Sequence, residues 1–343
     1  MENIKISIAM AAYNGEKYLK EQLESYCKQT ILPDELVVVD DSSTDSTPKI
    51  LKSFKEKAPF KVIIITNEKN IGSTKSFEKA IKATSGNWIC LSDQDDVWKE
   101  NKIEEYIKVI NSSDKNIGLI YSDYEVVDEN LKSISNINSK NIPDYKNPKI
   151  ETEEASIFLL NHFVLSGCTM ILKREAVFQT FPFSTKIHDN WLAWAISINY
   201  KLKFINQKLH LYRQHKNQQI GLGLIKKEKK VKSFFQKNIY DSKKIEQKRK
   251  SRMKSLIENM IFYKAANDYL NKFHINNELS KIVKKGLKFY GDRLKAAGKY
   301  RLKRLMMLLP LFIKGYYKYY ESPKTFSEFR KDIEYPIIKE QML

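Results

Sequence analysis

The sequence predicts an α/β fold, a mostly parallel sheet flanked by helices, followed by a C-terminal α-helical basic region. Three observations predict it. Short apolar or β-branched runs alternate with segments of helical period through the first half of the chain. Two of those runs stop abruptly in clusters of carboxylates. The formal net charge of +19 falls wholly in the last third: residues 225–343 hold 31 Lys and Arg against 12 Asp and Glu, whereas residues 1–224 balance at 29 of each.

The elements follow in order. Ile4–Ala11 alternates like a half-buried strand and ends at the turn signal Asn14-Gly15. Tyr18, Leu19, Gln22, Leu23 and Tyr26 recur at helical spacing, and Pro33-Asp34 breaks the chain. Leu36–Val39 suits a strand covered on both faces, and it stops at Asp40-Asp41-Ser42-Ser43-Thr44-Asp45, a loop and helix-cap composition. A helix through Ile50 and Phe54, a strand Val62–Ile65 and a helix Thr74–Ala83 come next. Trp88–Leu91 is a buried strand stopping at Ser92-Asp93-Gln94-Asp95-Asp96. A helix through Ile103, Tyr106 and Ile110, a strand Ile117–Tyr124, a loop from about 130 and a helix through Ile157–Leu160 follow. Gly167–Leu172 reads as a strand, and Trp191 to Ile198 as a helix whose front edge is His188-Asp189. From 224 onward the pattern is amphipathic helix with dense Lys and Arg. Two domains result, a body over 1–224 and a basic helical region over 225–343.

Composition excludes several classes. Cys27, Cys90 and Cys168 form no C-x-x-C pair and are odd in number, which argues against a disulfide framework or zinc cluster. The apolar start has one lysine, Lys5, and strand-like alternation, so it is read as a strand and not as an export signal. The run Leu305–Ile313, interrupted by Pro310, is nine residues where a spanning helix needs about 20. Neither G-x-G-x-x-G nor G-x-x-x-x-G-K-[ST] occurs, so a dinucleotide site or P-loop lacks its phosphate-holding device.

In a parallel sheet the ligand crevice lies at the carboxyl ends of the strands, and the acidic clusters stand at two such ends. Asp93, Asp95 and Asp96 repel one another unless a cation sits among them, and Mg²⁺ or Mn²⁺ suits oxygen ligands while keeping positions open for phosphate. The bland reading is an acidic turn capping the next helix. Its place directly after a buried strand and level with Asp40-Asp41 lowers the weight of that reading.

Here the residues resemble a known family. Ala11-Ala-Tyr-Asn-Gly15, Val37-Val-Val-Asp-Asp-Ser-Ser-Thr-Asp45, Asn70-Ile-Gly72 and Ser92-Asp-Gln-Asp-Asp-Val-Trp98 look like inverting family 2 glycosyltransferases of the GT-A, nucleotide-diphospho-sugar transferase, fold. With His188-Asp-Asn-Trp191 and Tyr212-Arg-Gln-His215 downstream, the chain resembles the bacterial rhamnosyltransferase-like branch over roughly residues 4–221. The resemblance implies roles by position. Tyr13 and Asp41 hold the nucleotide base, Asp40 assists at the ribose, and Ala11 stands where the family often carries Pro. Asp93 and Asp95 match the metal-binding D-x-D, and Asp96 contacts the donor sugar or orients the loop. Asp189 matches the base that deprotonates the acceptor hydroxyl. Arg213 and His215 are candidates for diphosphate binding and metal assistance.

Each residue also has a plainer reading. Asp189 alone caps a helix as readily as it catalyses, and only the resemblance tips it. His188 reads as a neighbour of the base, Tyr212–His215 reads equally as a surface strand end, and Trp194 reads as core. Tyr316, Tyr317, Tyr319 and Tyr320 fit ordinary helix packing. The expected donor is dTDP-L-rhamnose, with a UDP-hexose second, and the acceptor a cell-surface glycan or lipid-linked oligosaccharide. A nucleic-acid-binding protein is the alternative class, because the tail is basic. The tail has no base-reading motif, and Arg301, Lys303 and Arg304 beside an apolar run suit an anionic membrane surface better. A nucleotidyltransferase would share metal and carboxylates but not need Asp189. The expected location is cytoplasmic, peripheral on the inner membrane face.

Overall fold

The computed structural model describes residues 3–134, 144–183, 185, 188–216, 218, 234–297, 299, 301–320 and 325–334. The loop expected from about 130 therefore lies partly outside the described residues. The chain divides into two compact units, Met1–Lys226 and Lys227–Leu343.

The first unit is an eight-stranded sheet. Its strands are β1 (Ile6–Ala12), β2 (Glu35–Asp40), β3 (Lys61–Thr66), β4 (Trp88–Ser92), β5 (Val97–Trp98), β6 (Ile117–Val127), β7 (Met170–Lys173) and β8 (Lys201–Arg213), in the order β3-β2-β1-β4-β7-β6-β8-β5. The pairs β1/β2, β2/β3, β1/β4 and β6/β8 are parallel, and β4/β7, β6/β7 and β5/β8 antiparallel. Helices α1 (Leu19–Cys27), α2 (Thr47–Lys55), α3 (Ser73–Ala83), α4 (Lys102–Ser112), α5 (Ala155–Asn161), α6 (Arg174–Phe178) and α7 (His188–Ile196) connect the strands. Strand β2 is buried at every position, as its unbroken apolar run requires. Ile8 and Met10 of β1, Leu36 and Val38 of β2 and Cys90 of β4 join Leu19, Leu23 and Tyr26 of α1 and Ile103 and Tyr106 of α4 in one core. Burial of each large apolar side chain contributes about 1.5–3 kcal/mol.

Three local expectations need correction. Gly167–Thr169 is a 3₁₀ turn, and the strand begins only at Met170. Glycine suits that turn because a Cβ on Gly167 would lie 2.8 Å from Asp189 Oδ1. The Tyr212–His215 segment is a strand end, closing β8, but it is not at the surface, for Arg213 and Gln214 are buried. Pro310 does not interrupt the apolar run of the second unit but lies inside a helix.

Register positions the site. Ala12 pairs with Asp40, Met10 with Ser92 and Val127 with Arg213, so the carboxyl ends of β1, β2, β4, β6 and β8 share one edge. Strand β5 folds the segment after β4 back along β8, with Val97 opposite Leu211 and Trp98 opposite His210. The carboxylate loop is thereby laid beside the residues that follow β8.

The second unit is helical: α8 (Phe234–Lys272), α9 (Glu278–Ala297), α10 (Arg301–Ile313), α11 (Tyr316–Tyr320) and α12 (Thr325–Glu334). Tyr263, Phe289, Tyr290, Tyr317 and Tyr320 form its buried aromatic core. A Cβ on Gly286 would collide with the Tyr263 ring, so glycine is what lets α8 and α9 approach. Asp332 accepts from Arg252 Nε at 3.0 Å, Arg293 Nε at 2.8 Å and Tyr317 Oη at 2.7 Å. Burial would raise this carboxyl, but the charges of Arg293 and Arg252 hold it below its ordinary value. Among the described residues no helix is long and apolar enough to cross a membrane.

Candidate active site at the carboxyl edge of the sheet

The loops after β1 and β2 are tied together by side-chain bonds to backbone. Asn14, at φ 46°, donates its N–H to Ser43 Oγ and accepts from Thr44 N at 2.8 Å. Asn and Asp tolerate this left-handed region best among non-glycine residues. Gly15 N donates to Thr47 Oγ1 at 2.8 Å. Tyr13 is 46% exposed at the edge, and the half-buried Ala11 precedes it within β1.

Asp40 is buried and accepts from Ser43 N. Asp41 Oδ1 accepts from Asn67 Nδ2 at 2.8 Å and Ile71 N at 2.9 Å, while Oδ2 accepts from Gly72 N at 2.8 Å. A carboxylate has about four acceptor positions, so Oδ2 retains one. Sequence reasoning matched Asp41 to a ligand and missed its bonds to the Asn67–Gly72 loop. The Asn70-Ile-Gly72 motif was the available signal, since Gly72 sits at φ 89° where glycine is favoured.

The acidic segment after β4 rests on a buried polar base. Ser92 Oγ lies 2.6 Å from both Gln22 Nε2 and Tyr26 Oη. Above it, Gln94 accepts from Tyr13 N at 2.9 Å and donates to Tyr13 O at 3.0 Å, so one side chain joins the ends of β1 and β4. Nothing in the sequence singled out Gln94. Asp95 Oδ2 lies 2.7 Å from His215 Nε2, and the His215 ring packs on Tyr18 at 4.7 Å. Asp96 is buried and accepts from Arg213 N at 3.0 Å.

Arg213 is buried among fixed partners. Its Nε donates to Asp95 O and its Nη1 to Glu129 O, both at 2.7 Å, Nη2 pairs with Glu21, and the guanidinium stacks 4.5 Å over Tyr18. These bonds clasp the acidic loop to β8, a role that sequence reasoning missed because an arginine usually points to solvent.

On the other side, Asp189 lies in the first turn of α7. Its Oδ2 accepts from Gly167 N at 2.9 Å, and His188 Nε2 lies 2.7 Å from Oδ1. Burial alone would raise the Asp189 carboxyl, but the His188 charge and the Gly167 amide hold it below its ordinary value, so it is ionised at neutral pH. His188, stacked 4.3 Å from Phe77, is raised, because Asp189 outweighs its burial. Asp93 feels both sides. Burial, then the charges of Asp95 and Asp189, push it up to about 7. Trp191 and Trp194 are buried, as core residues are.

Asp93 and Asp95 offer the hard oxygen donors that Mg²⁺ or Mn²⁺ takes, and His215, the third expected ligand, stands 2.7 Å from Asp95 Oδ2. A deeper set also exists. Asp96, Cys168 and His210, all buried, offer ligand atoms within 4.8 Å of one another. Lys102 Nζ donates to Cys168 O at 2.7 Å, and burial with the charges of Lys102 and Lys99 pulls His210 far down. The buried ammonium already supplies positive charge there.

Comparison with known proteins agrees with this geometry. The model of glycosyl transferase family 2 matches residues 7–181. The chain belongs to that family. It is 27% identical over 317 residues to the dTDP-rhamnosyl transferase RfbG of Shigella flexneri, covering 88% of this chain and 100% of RfbG. It is 29% identical over 222 residues to an uncharacterized glycosyltransferase of Nostoc sp., covering 62% of this chain and 65% of that one. In structure it resembles the mannosyltransferase PcManGT of Pyrobaculum calidifontis, solved with GDP-Man and Mn²⁺, at TM-score 0.52, 16% identity and coverage of 96% and 86%. The fold is GT-A, and the chain is a glycosyltransferase of the kind that uses nucleotide sugars.

Proposed function

We propose that the chain transfers a sugar from a nucleotide-diphosphate sugar to a hydroxyl of a cell-surface glycan or lipid-linked oligosaccharide, with inversion at the anomeric carbon. One observation carries the reading: the carboxylate loop begins where β4 ends at the carboxyl edge of the sheet, with Asp95 beside His215, and Asp93 in that loop is raised by the charges of both Asp95 and Asp189.

The exposed Tyr13 ring is free to stack on the base, and the remaining acceptor position of Asp41 Oδ2 suits a pyrimidine N3–H. Asp40 would assist at the ribose, and Ala11 lies within β1 just before the ring. Asp95, Asp93 and His215 would hold Mg²⁺ or Mn²⁺, which when bound neutralises charge on the leaving diphosphate. Arg213 fixes the loop that carries them, and Asp96 holds the loop from below. Asp189 accepts the proton of the acceptor hydroxyl. The hydroxyl oxygen forms its bond to the anomeric carbon as the bond to the diphosphate oxygen breaks, and the electron pair leaves on the diphosphate. The Gly167 amide and His188 hold the carboxylate in place.

Similarity along the full length of RfbG, named a dTDP-rhamnosyl transferase, supports dTDP-L-rhamnose as donor. A UDP-hexose is the second donor. The excess charge of residues 225–343 supports peripheral attachment of that region to the inner, anionic face of the cell membrane. The test is release of nucleoside diphosphate from a panel of nucleotide sugars with Mg²⁺ or Mn²⁺. Turnover of dTDP-L-rhamnose above the UDP- and GDP-hexoses is expected, and turnover of a hexose donor alone would transfer the assignment to that sugar.

A further inference from the structure

Helix α10 turns two different faces outward and inward. Leu302, Met306, Leu309 and Ile313 are 61%, 69%, 39% and 73% exposed and recur at steps of four, three and four, so they form one stripe. The opposite stripe, Arg304, Leu308 and Leu311, is buried. From Arg293 to Tyr320 the sequence has eight Lys and Arg and no Asp or Glu. Arg293 and Arg304 are committed inside the unit, Arg293 to Asp332 and Arg304 to the carbonyls of Ile333 and Lys299. Lys299, Lys303, Lys314 and Lys318 remain exposed, and Lys303 and Lys314 stand next in sequence to Leu302 and Ile313.

We propose that α10 lies along an anionic membrane surface and inserts Leu302, Met306, Leu309 and Ile313 at its apolar boundary. This rests on the peripheral-membrane reading above and names the face that performs it. An amphipathic helix with cations flanking an apolar stripe buries the stripe at the acyl boundary while the lysine heads reach the headgroups. Charge complementarity selects this occupant. A second copy of the chain would bring one lysine-rimmed stripe against another, with no carboxylate in the segment to relieve the repulsion. Thirteen residues of helix reach about 20 Å, short of the roughly 30 Å of hydrocarbon, so the helix lies on the surface and does not span it. The sequence-based choice of Arg304 as an attachment point is corrected here, because its guanidinium is buried and bonded within the unit.

The experiment compares the full chain with the variant L302Q/M306Q/L309Q/I313Q by sedimentation with vesicles of phosphatidylglycerol and phosphatidylcholine in equal parts, and with pure phosphatidylcholine. The melting temperature of the variant should stay near wild type, since the four side chains face solvent. Wild type should sediment with the anionic vesicles and weakly with neutral ones, and the variant's partition should fall by about tenfold or more. Equal sedimentation of variant and wild type overturns the stripe and leaves membrane attachment standing through another face. Failure of wild type to sediment overturns both readings, and equal binding to neutral vesicles overturns the anionic partner. Self-association of wild type in light scattering that the variant loses, without vesicle binding, assigns the stripe to a second copy.

Discussion

Gln94 and Tyr13 exchange two hydrogen bonds, side-chain amide to backbone amide in both directions, across 81 residues of sequence. The bonds fix the distance between the loop that carries the carboxylates and the loop that presents the Tyr13 ring. Gln94→Ala should therefore raise the donor KM several-fold and lower the melting temperature only slightly, because each exposed bond contributes about 1 kcal/mol. Gly15→Ala should act in the same direction, since its Cβ would collide with the Gln94 amide. Steady-state kinetics with varied donor checks both, and an unchanged KM in both variants would show that the clamp does not shape the donor site.

Asp95→Asn removes a charge and disturbs the pair with His215. Transfer should be lost, and Mn²⁺ binding followed by calorimetry should weaken by at least about tenfold, as expected for loss of an anionic oxygen ligand. Retained activity in excess EDTA would remove the metal from the mechanism.

Asp189→Asn keeps the size of the side chain and removes its charge, so stability should fall only slightly while turnover falls by about 10²-fold or more. Gly167→Ala offers a second test that leaves the carboxylate in place, because the added Cβ would sit 2.8 Å from Asp189 Oδ1. It should lower kcat more than it changes donor KM. Near wild-type kcat in the Asn variant would move the base elsewhere.

Asp93 gives a pH prediction. Its carboxyl keeps a proton in the folded state up to about 7, whereas an unfolded Asp releases it near 4. The folded state thus binds more protons between those values, and its stability falls as pH rises through that window. A divalent cation must displace that proton below about 7 and meets a free carboxylate above it. The rise in melting temperature on adding Mn²⁺ should be larger at pH 8 than at pH 6. Equal increments at the two pH values would contradict the placement of Asp93 in the ligand set.

Arg304→Glu should destabilise the second unit by about 3 kcal/mol or more, because a buried carboxylate would face the carbonyls of Ile333 and Lys299. Lys303→Glu on the exposed side should leave the melting temperature nearly unchanged. Thermal denaturation of the two variants, expected to differ clearly, checks this assignment.

Most of the parallel half of the sheet was legible, because Leu36–Val39 and Trp88–Leu91 are short apolar runs stopped by carboxylates. Strand β8 was not, since its burial alternates unevenly along Lys201–Arg213 and its pairing with β6 carries register shifts. Strand β5 is two residues long and exists only through β8, so no local pattern announces it. The proposed ligands stood out by residue type and position. Their supports did not, for Gln94, Tyr18 and the clasp of Arg213 depend on partners far away in sequence.

The carboxylate of Asp332 gathers Arg252 and Arg293, residues 80 and 39 positions before it. During synthesis those two arginines emerge first and have to wait, unpaired, for α12. The sheet of the first unit, by contrast, has its last strand in hand at Arg213. A chain made from its N-terminus at about 5–20 residues per second can therefore complete the catalytic sheet several seconds before the arginines of the second unit are neutralised. Until then the nascent helical unit carries more uncompensated positive charge than the finished one, and the ionic strength around the ribosome should matter more for its folding than for that of the sheet.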